Sequence, residues 1–167
     1  MDNKNAKTVA IVPGSFDPIT KGHIFIVNEA LKRYDHVILA VMINSEKTYQ
    51  FSLEERKSIA SAALDGISNV EVISFDGWLY ELANKLNADA IVKGYRNDID
   101  LEYENKMAAF NANYAPKAKT ILIKAPSELE KISSTLARTQ LANEILLKEI
   151  LPEKAISKIQ EILNNKT

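Results

Sequence analysis

The chain has 167 residues, with 21 Lys and Arg against 22 Asp and Glu, a formal net charge of −1 and no cysteine. Near-neutrality excludes a polycationic nucleic-acid binder and gives no general attraction to an anionic membrane. The lack of cysteine excludes disulfides, thiolate metal sites and a thiol nucleophile.

At 46% hydrophobic and 26% charged, the composition is that of a soluble globular protein. The length suits one domain over residues 1–167, burying about 70% of its unfolded surface. Met1 to Lys7 is polar, and the apolar run after it is too short for a secretory signal. The longest apolar run, Val37 to Ile43, is far below the ~20 residues of a membrane span. It reads instead as a central parallel strand buried on both faces. The expected setting is cytoplasmic, without nucleic-acid or membrane partners.

Strand patterns recur at Thr8–Val12, His36–Ile43, Val70–Ser74, Ala90–Lys93 and Thr120–Lys124. Helical patterns lie between them near 22–33, 52–64, 78–87 and 100–112. Ser52-Leu53-Glu54-Glu55 reads as a capping box opening the second helix. Two more helices are expected, one from about Ser134 and one with Pro152 in its first turn. In the last, Ala155, Ile156, Ile159 and Leu163 share an apolar face. Strand–helix alternation predicts an α/β fold: a Rossmann-like, doubly wound, five-stranded parallel sheet with helices on both faces and a C-terminal helical segment.

In such sheets ligands bind beyond the carboxyl ends of the strands. The chemically informative segments collect there. Pro13–His23 follows the first strand, Asn44–Gln50 with Lys47 the second, Phe75–Leu79 the third and Lys93–Arg96 the fourth. Ile132–Thr135 lies beyond the fifth. The first of these, Pro13-Gly14-Ser15-Phe16-Asp17-Pro18-Ile19-Thr20-Lys21-Gly22-His23, joins a strand to a helix through a glycine-containing turn. Backbone N–H groups and the positive end of the helix offer an anion site there. The glycines at 14, 22, 66, 77 and 94 form neither a dinucleotide fingerprint nor a P-loop.

This segment resembles the G-(S/T)-F-D-P-x-(H/T)-x-G-H motif of Rossmann-like nucleotidyltransferases. With Thr20 opening T-x-G-H, it is similar to the phosphopantetheine adenylyltransferase family. The resemblance runs through Lys47 and Phe51-Ser52-Leu53-Glu54-Glu55-Arg56. It continues through Lys93-Gly94-Tyr95-Arg96 and Asp100-Leu101-Glu102-Tyr103-Glu104, and ends in Ile132-Ser133-Ser134-Thr135-Leu136. It implies transfer of the adenylyl group of ATP to 4′-phosphopantetheine, giving dephospho-coenzyme A and pyrophosphate, by direct attack on the α-phosphorus. Mg²⁺ is expected to arrive with ATP, with no dedicated carboxylate cage and no metal site of the chain's own. A homohexamer and feedback by coenzyme A are further implications of the resemblance.

The resemblance also implies residue roles. His23, Lys47 and Arg96 are the catalytic set. His23 contacts the α-phosphate, Lys47 brings the attacking phosphate close, and Arg96 contacts the ATP phosphates. Ser15, Phe16, Gly94, Tyr95 and Glu104 join the ATP site, with Leu129, Glu130, Lys131, Ile132, Ser133, Ser134 and Thr135. Ser15, Lys47, Leu79 and Lys93 fall on the phosphopantetheine side. Lys93 takes its phosphate and Leu79, with Trp78, its arm. Bland readings stand beside several of these: helix capping for His23 and the Ser-Ser-Thr trio, a surface carboxylate for Glu104, a core helix for Leu79. His36 is expected to be structural.

The chain departs from the family pattern at Leu129, Glu130 and Lys131, and at Tyr95. Two alternatives compete. One is an adenylyltransferase for nicotinate mononucleotide, against which Thr20 discriminates. The other is a non-catalytic nucleotide-binding protein, against which His23, Lys47 and Arg96 stand together.

Overall fold

The computed structural model describes residues 6–167. Five parallel strands, β1 (Val9–Gly14), β2 (His36–Met42), β3 (Val70–Phe75), β4 (Ala90–Tyr95) and β5 (Lys119–Lys124), form a sheet in the order β3-β2-β1-β4-β5. Their crossovers are α1 (Lys21–Leu31), α2 (Leu53–Ala63), α3 (Leu79–Lys85) and α4 (Asp98–Tyr114). The expected fold and all five expected strands are present, with ends displaced by one or two residues.

β2 is buried from Val37 to Val41 because it has a core on each side. Val37, Leu39 and Val41 join Ala10 and Val12 of β1 in one cluster with residues of α1 and α2. Ile38 and Ala40 join Ile11 in the other, with Leu82 and Ala83 of α3. A run of five apolar residues is what a strand covered on both faces requires. Burying the larger of these side chains is worth about 1.5–3 kcal/mol each.

The C-terminal region differs from expectation. Three helices follow β5, not two: α5 (Ser134–Thr139), α6 (Glu144–Ile150) and α7 (Glu153–Asn165). Asn143 caps α6 by accepting from the Leu146 N–H. Asparagine at a cap satisfies otherwise unpaired donors and restarts the chain as a new helix. Pro152 is the N-cap of α7, one position before its first helical turn. Ala155, Ile156 and Ile159 are buried on that helix, with Leu163 packed beside them. A single 3₁₀ turn, Ser127–Leu129, precedes α5.

The strand order reverses between β1 and β4, which lie side by side. Their crossovers leave in opposite directions, opening a crevice at the carboxyl ends, the usual ligand position in this topology. Gly94 keeps the crevice tight. A Cβ there would meet Ile26 Cδ1 of α1 at 2.8 Å.

Candidate active site

The crevice is a cleft of about 610 Å³, within the range of small-molecule sites. Its wall carries Ser15 and Phe16 from the first turn, His23 from the start of α1, Lys47 from the loop after β2, Lys93 to Tyr95 from β4 and Arg96 just beyond it. It also carries Glu104 from α4, and Leu129 with Ile132 to Thr135 from the segment before and at the start of α5. Residues expected from five separate stretches therefore meet in one place. Glu130 and Lys131 are exposed and lie outside the lining. Leu79 is also outside it, packed against the core cluster of Ile38, Ala40 and Leu82. Its core-helix reading holds in this structure. His36 opens β2, at the opposite end of the sheet, and faces Glu71 at 3.7 Å.

The T-x-G-H stretch has a direct physical reading. Thr20 is the N-cap of α1 and its hydroxyl accepts from the His23 N–H. In return the Thr20 N–H donates to His23 Nδ1 at 2.9 Å. The pair is a capping box with histidine in the place of the usual Glu or Gln. Capping and a place in the cleft are thus not alternatives for His23; one arrangement provides both. Because Nδ1 accepts, the proton of the neutral ring resides on Nε2. The ring stands edge-on to Phe16, centroids 4.9 Å apart.

Burial, followed by the charge of Arg96, pushes the His23 pKa down to about 4. The residue keeps some exposure at the cleft mouth. At neutral pH it is an uncharged donor.

The turn is held by Asp17 and Arg138, to which the sequence reading gave no individual role, and by the Ser134 hydroxyl. Asp17, 4% exposed, accepts from the Gln50 and Phe51 N–H groups at 2.9 and 3.0 Å. Arg138 donates to the Asp17 carbonyl at 2.9 Å, and Ser134 Oγ donates to the Pro18 carbonyl at 2.8 Å. These two bonds dock α5 onto the β1–α1 turn. Arg138 follows Ser134 by four residues on one helical face, and that spacing was the available signal.

Four cationic side chains line the cleft: Lys47, Lys93, Arg96 and Arg138. Three acids face them: Asp17, Asp100 and Glu104. Asp100 accepts from the Arg96 backbone N–H and Nε at 3.1 and 3.2 Å. Glu104 Oε2 is 2.7 Å from Lys93 Nζ. The same oxygen lacks a well-directed hydrogen bond, so that contact is Coulombic. The excess is one positive charge: α4 neutralises Lys93 and Arg96, and Arg138 lies 3.9 Å from the Asp17 carboxylate.

Ser133 caps α5 through the Leu136 N–H. The capping reading of the trio holds at that residue. The backbone N–H of Ser134 remains at the cleft-facing start of the helix.

A family profile described as cytidylyltransferase-like matches residues 11–140, which spans the whole cleft. A phosphopantetheine adenylyltransferase of Clostridium perfringens is 36% identical over 157 residues, covering 94% of this chain and 96% of the relative. The enzyme of that name from Lactobacillus helveticus is 38% identical over 95% and 97% of the two chains. That of Bdellovibrio bacteriovorus is 40% identical over 91% and 95%.

The chain belongs to the phosphopantetheine adenylyltransferase family.

Among solved structures, a putative nicotinate-nucleotide adenylyltransferase from Vibrio parahaemolyticus superposes with a TM-score of 0.68. It is 20% identical and covers 93% of this chain and 99% of its own. At that identity the likeness is one of fold. No helix of the described residues is long and apolar enough to cross a membrane.

Proposed function

We propose that the chain transfers the adenylyl group of ATP to 4′-phosphopantetheine, releasing pyrophosphate and forming dephospho-coenzyme A. The observation that carries this reading is the meeting of His23, Lys47, Lys93 and Arg96 around one cleft at the β1–β4 switch point. The relatives that match nearly the whole chain carry that enzyme name.

In this reading an oxygen of the phosphopantetheine phosphate attacks the α-phosphorus of ATP as the bond to pyrophosphate breaks. No protein nucleophile is needed. The chain's part is to hold two mutually repelling anions in line and to stabilise the charge between them. Lys93 and Lys47 receive the attacking phosphate. A lysine does so as a point charge rather than as a fork. His23 donates from Nε2 to an α-phosphate oxygen, a role its neutral form performs without titrating at working pH. Arg96 turns from Asp100 to the ATP phosphates. The backbone at the start of α5 receives the β- and γ-phosphates.

Among the described residues no group of three His, Cys, Asp or Glu is placed to hold a metal. The cleft carboxylates are engaged by N–H groups, Arg96 and Lys93. Mg²⁺ in this reading is a passenger on the ATP phosphates. Family resemblance further supports a cytoplasmic homohexamer subject to coenzyme A feedback. Size-exclusion chromatography with light scattering tests the assembly.

The decisive assay is pyrophosphate release with ATP and 4′-phosphopantetheine, with nicotinate mononucleotide as the competing acceptor. Turnover requiring phosphopantetheine supports the reading. Preference for nicotinate mononucleotide rejects it.

A further inference from the structure

The loop between β2 and α2 carries Lys47 on an exposed stretch, residues 43–48. An exposed lysine there has several rotatable bonds, and ordering it costs entropy. The loop is nevertheless tightly closed around one residue, Asn44. Its carbonyl accepts from the Lys47 N–H at 3.0 Å and its Oδ1 from the Glu46 N–H at 3.0 Å. Its own N–H donates to the Tyr49 hydroxyl at 2.7 Å, and that hydroxyl donates back to the Asn44 carbonyl at 3.3 Å. Tyr49 thus ties the end of the loop to its beginning, with Lys47 between.

Tyr49 is itself fixed. The Arg56 guanidinium sits over its ring, 3.8 Å from Cζ to the ring centroid. Arg56 is 1% exposed and donates to three carbonyls: Ser15 at 2.7 Å, Met42 at 3.0 Å and Phe51 at 3.2 Å. Those carbonyls belong to the β1–α1 turn, the end of β2 and the residue before the N-cap of α2. A guanidinium held by three acceptors is a rigid plane for an aromatic ring. The chain of contact runs from the Ser15 turn through Arg56 and the Tyr49 ring to the hydroxyl that closes the Lys47 loop.

We propose that Tyr49 is a positioning residue: braced by Arg56, its hydroxyl closes the 44–49 loop and holds Lys47 where the attacking phosphate of the acceptor binds. The inference rests on the role given to Lys47 above. It adds a residue that acts through Lys47 rather than on the substrates. A small displacement of a group that brings two anions together has a large effect on rate.

The test is a double-mutant cycle of Tyr49→Phe and Lys47→Ala, read as kcat/KM for 4′-phosphopantetheine and KM for ATP. Amide hydrogen exchange of Glu46 and Lys47 is measured in Tyr49→Phe. The phenylalanine ring keeps the face that packs on Arg56 and removes only the hydroxyl, so the fold is retained. Expected are faster exchange at both amides, a fall of about 3- to 10-fold in kcat/KM for phosphopantetheine, and a KM for ATP within about twofold. In the Lys47→Ala background the same substitution is expected to change kcat/KM by less than about twofold.

An equal loss in both backgrounds would show Tyr49 acting without Lys47, through the substrate or the fold, and would overturn the proposal. Unchanged exchange with an impaired Lys47→Ala enzyme would overturn the positioning and leave the role of Lys47 standing. Near-normal turnover of Lys47→Ala would overturn the role of Lys47 and the positioning with it.

Discussion

Lys93 of β4 and Glu104 of α4 face each other across the cleft at 2.7 Å, and each is a candidate ligand group in its own right. Without substrate they neutralise one another. Their side chains are 24% and 13% exposed, so removing the lysine leaves a mostly buried carboxylate without its cation.

Lys93→Ala is therefore expected to cost about 1–3 kcal/mol of stability, since an unpartnered buried charge is penalised. Adding Glu104→Gln is expected to restore most of that loss. Urea denaturation of the two single variants and the double decides it. Strictly additive losses would show that the pair is not coupled in the fold. In binding, Lys93→Ala is expected to weaken 4′-phosphopantetheine by tenfold or more, as for a lost charge-assisted contact. Dephosphorylated pantetheine is expected to bind wild type and variant alike. Parallel losses for both ligands would indicate general damage to the pocket.

His23→Ala is expected to lower kcat by ~10²–10³, the usual cost of one lost transition-state donor, with a much smaller change in ATP affinity. Near-normal turnover would remove His23 from the mechanism. Its titration gives a second, independent reading. The folded pKa of about 4 lies below the unfolded value of about 6.5. Between these the unfolded chain binds more protons. This contribution to stability is therefore intact above pH 6.5 and is lost as pH falls towards 4. His23→Gln lacks it, so the stability gap between wild type and variant is expected to change across that window and to be flat above it. NMR titration of the ring in the ligand-free protein is expected to give a midpoint far below 6.5. A midpoint near 6.5 would contradict the buried, neutral donor.

At the start of α5, the side chain and the backbone of Ser134 do different things. The hydroxyl holds the Pro18 carbonyl. Ser134→Ala is expected to cost about 0.5–1.5 kcal/mol of stability while ATP affinity stays close to wild type. Ser134→Pro removes the N–H as well, yet its fixed φ suits a first helical position. If that N–H meets the β- and γ-phosphates, the proline variant, shown folded by circular dichroism, loses far more affinity for ATP than for AMP. Equal losses for both nucleotides would reject the phosphate cradle.

Gly94→Ala tests the packing of the crevice. The added methyl would lie 2.8 Å from Ile26 Cδ1 and 2.9 Å from Cγ1, closer than carbon atoms tolerate. Ile26 is only 6% exposed and has little room to move. Overpacking of this kind costs about 1–3 kcal/mol. A thermal midpoint unchanged from wild type would show that α1 shifts freely over β4.

The sheet was legible in the sequence because its strands are local apolar runs, and β2 announced its two-sided burial through the unbroken stretch from Val37. The cleft was legible for the residues just beyond β1, β2 and β4, whereas Phe75–Leu79 beyond β3 do not line it. The braces of the cleft were not, since they depend on contacts between distant segments. Asp17 reaches residues 33 and 34 positions away, and Arg138 reaches one 121 positions away. Leu79 has an apolar character that serves a core and a substrate arm equally, and only packing separates the two. The break between α5 and α6 was hidden because the residues around it are ordinary helix formers, and the Asn143 cap is a signal that an apolar pattern does not weigh.

The central claim is that this cleft joins ATP to 4′-phosphopantetheine. Its most direct test is to incubate the purified chain with ATP, Mg²⁺ and 4′-phosphopantetheine, and to quantify dephospho-coenzyme A and pyrophosphate together. The account predicts equimolar formation of both, dependence on the phosphate of the acceptor, and collapse in His23→Ala. Pyrophosphate released without an adenylylated acceptor, or faster turnover with nicotinate mononucleotide, would contradict it.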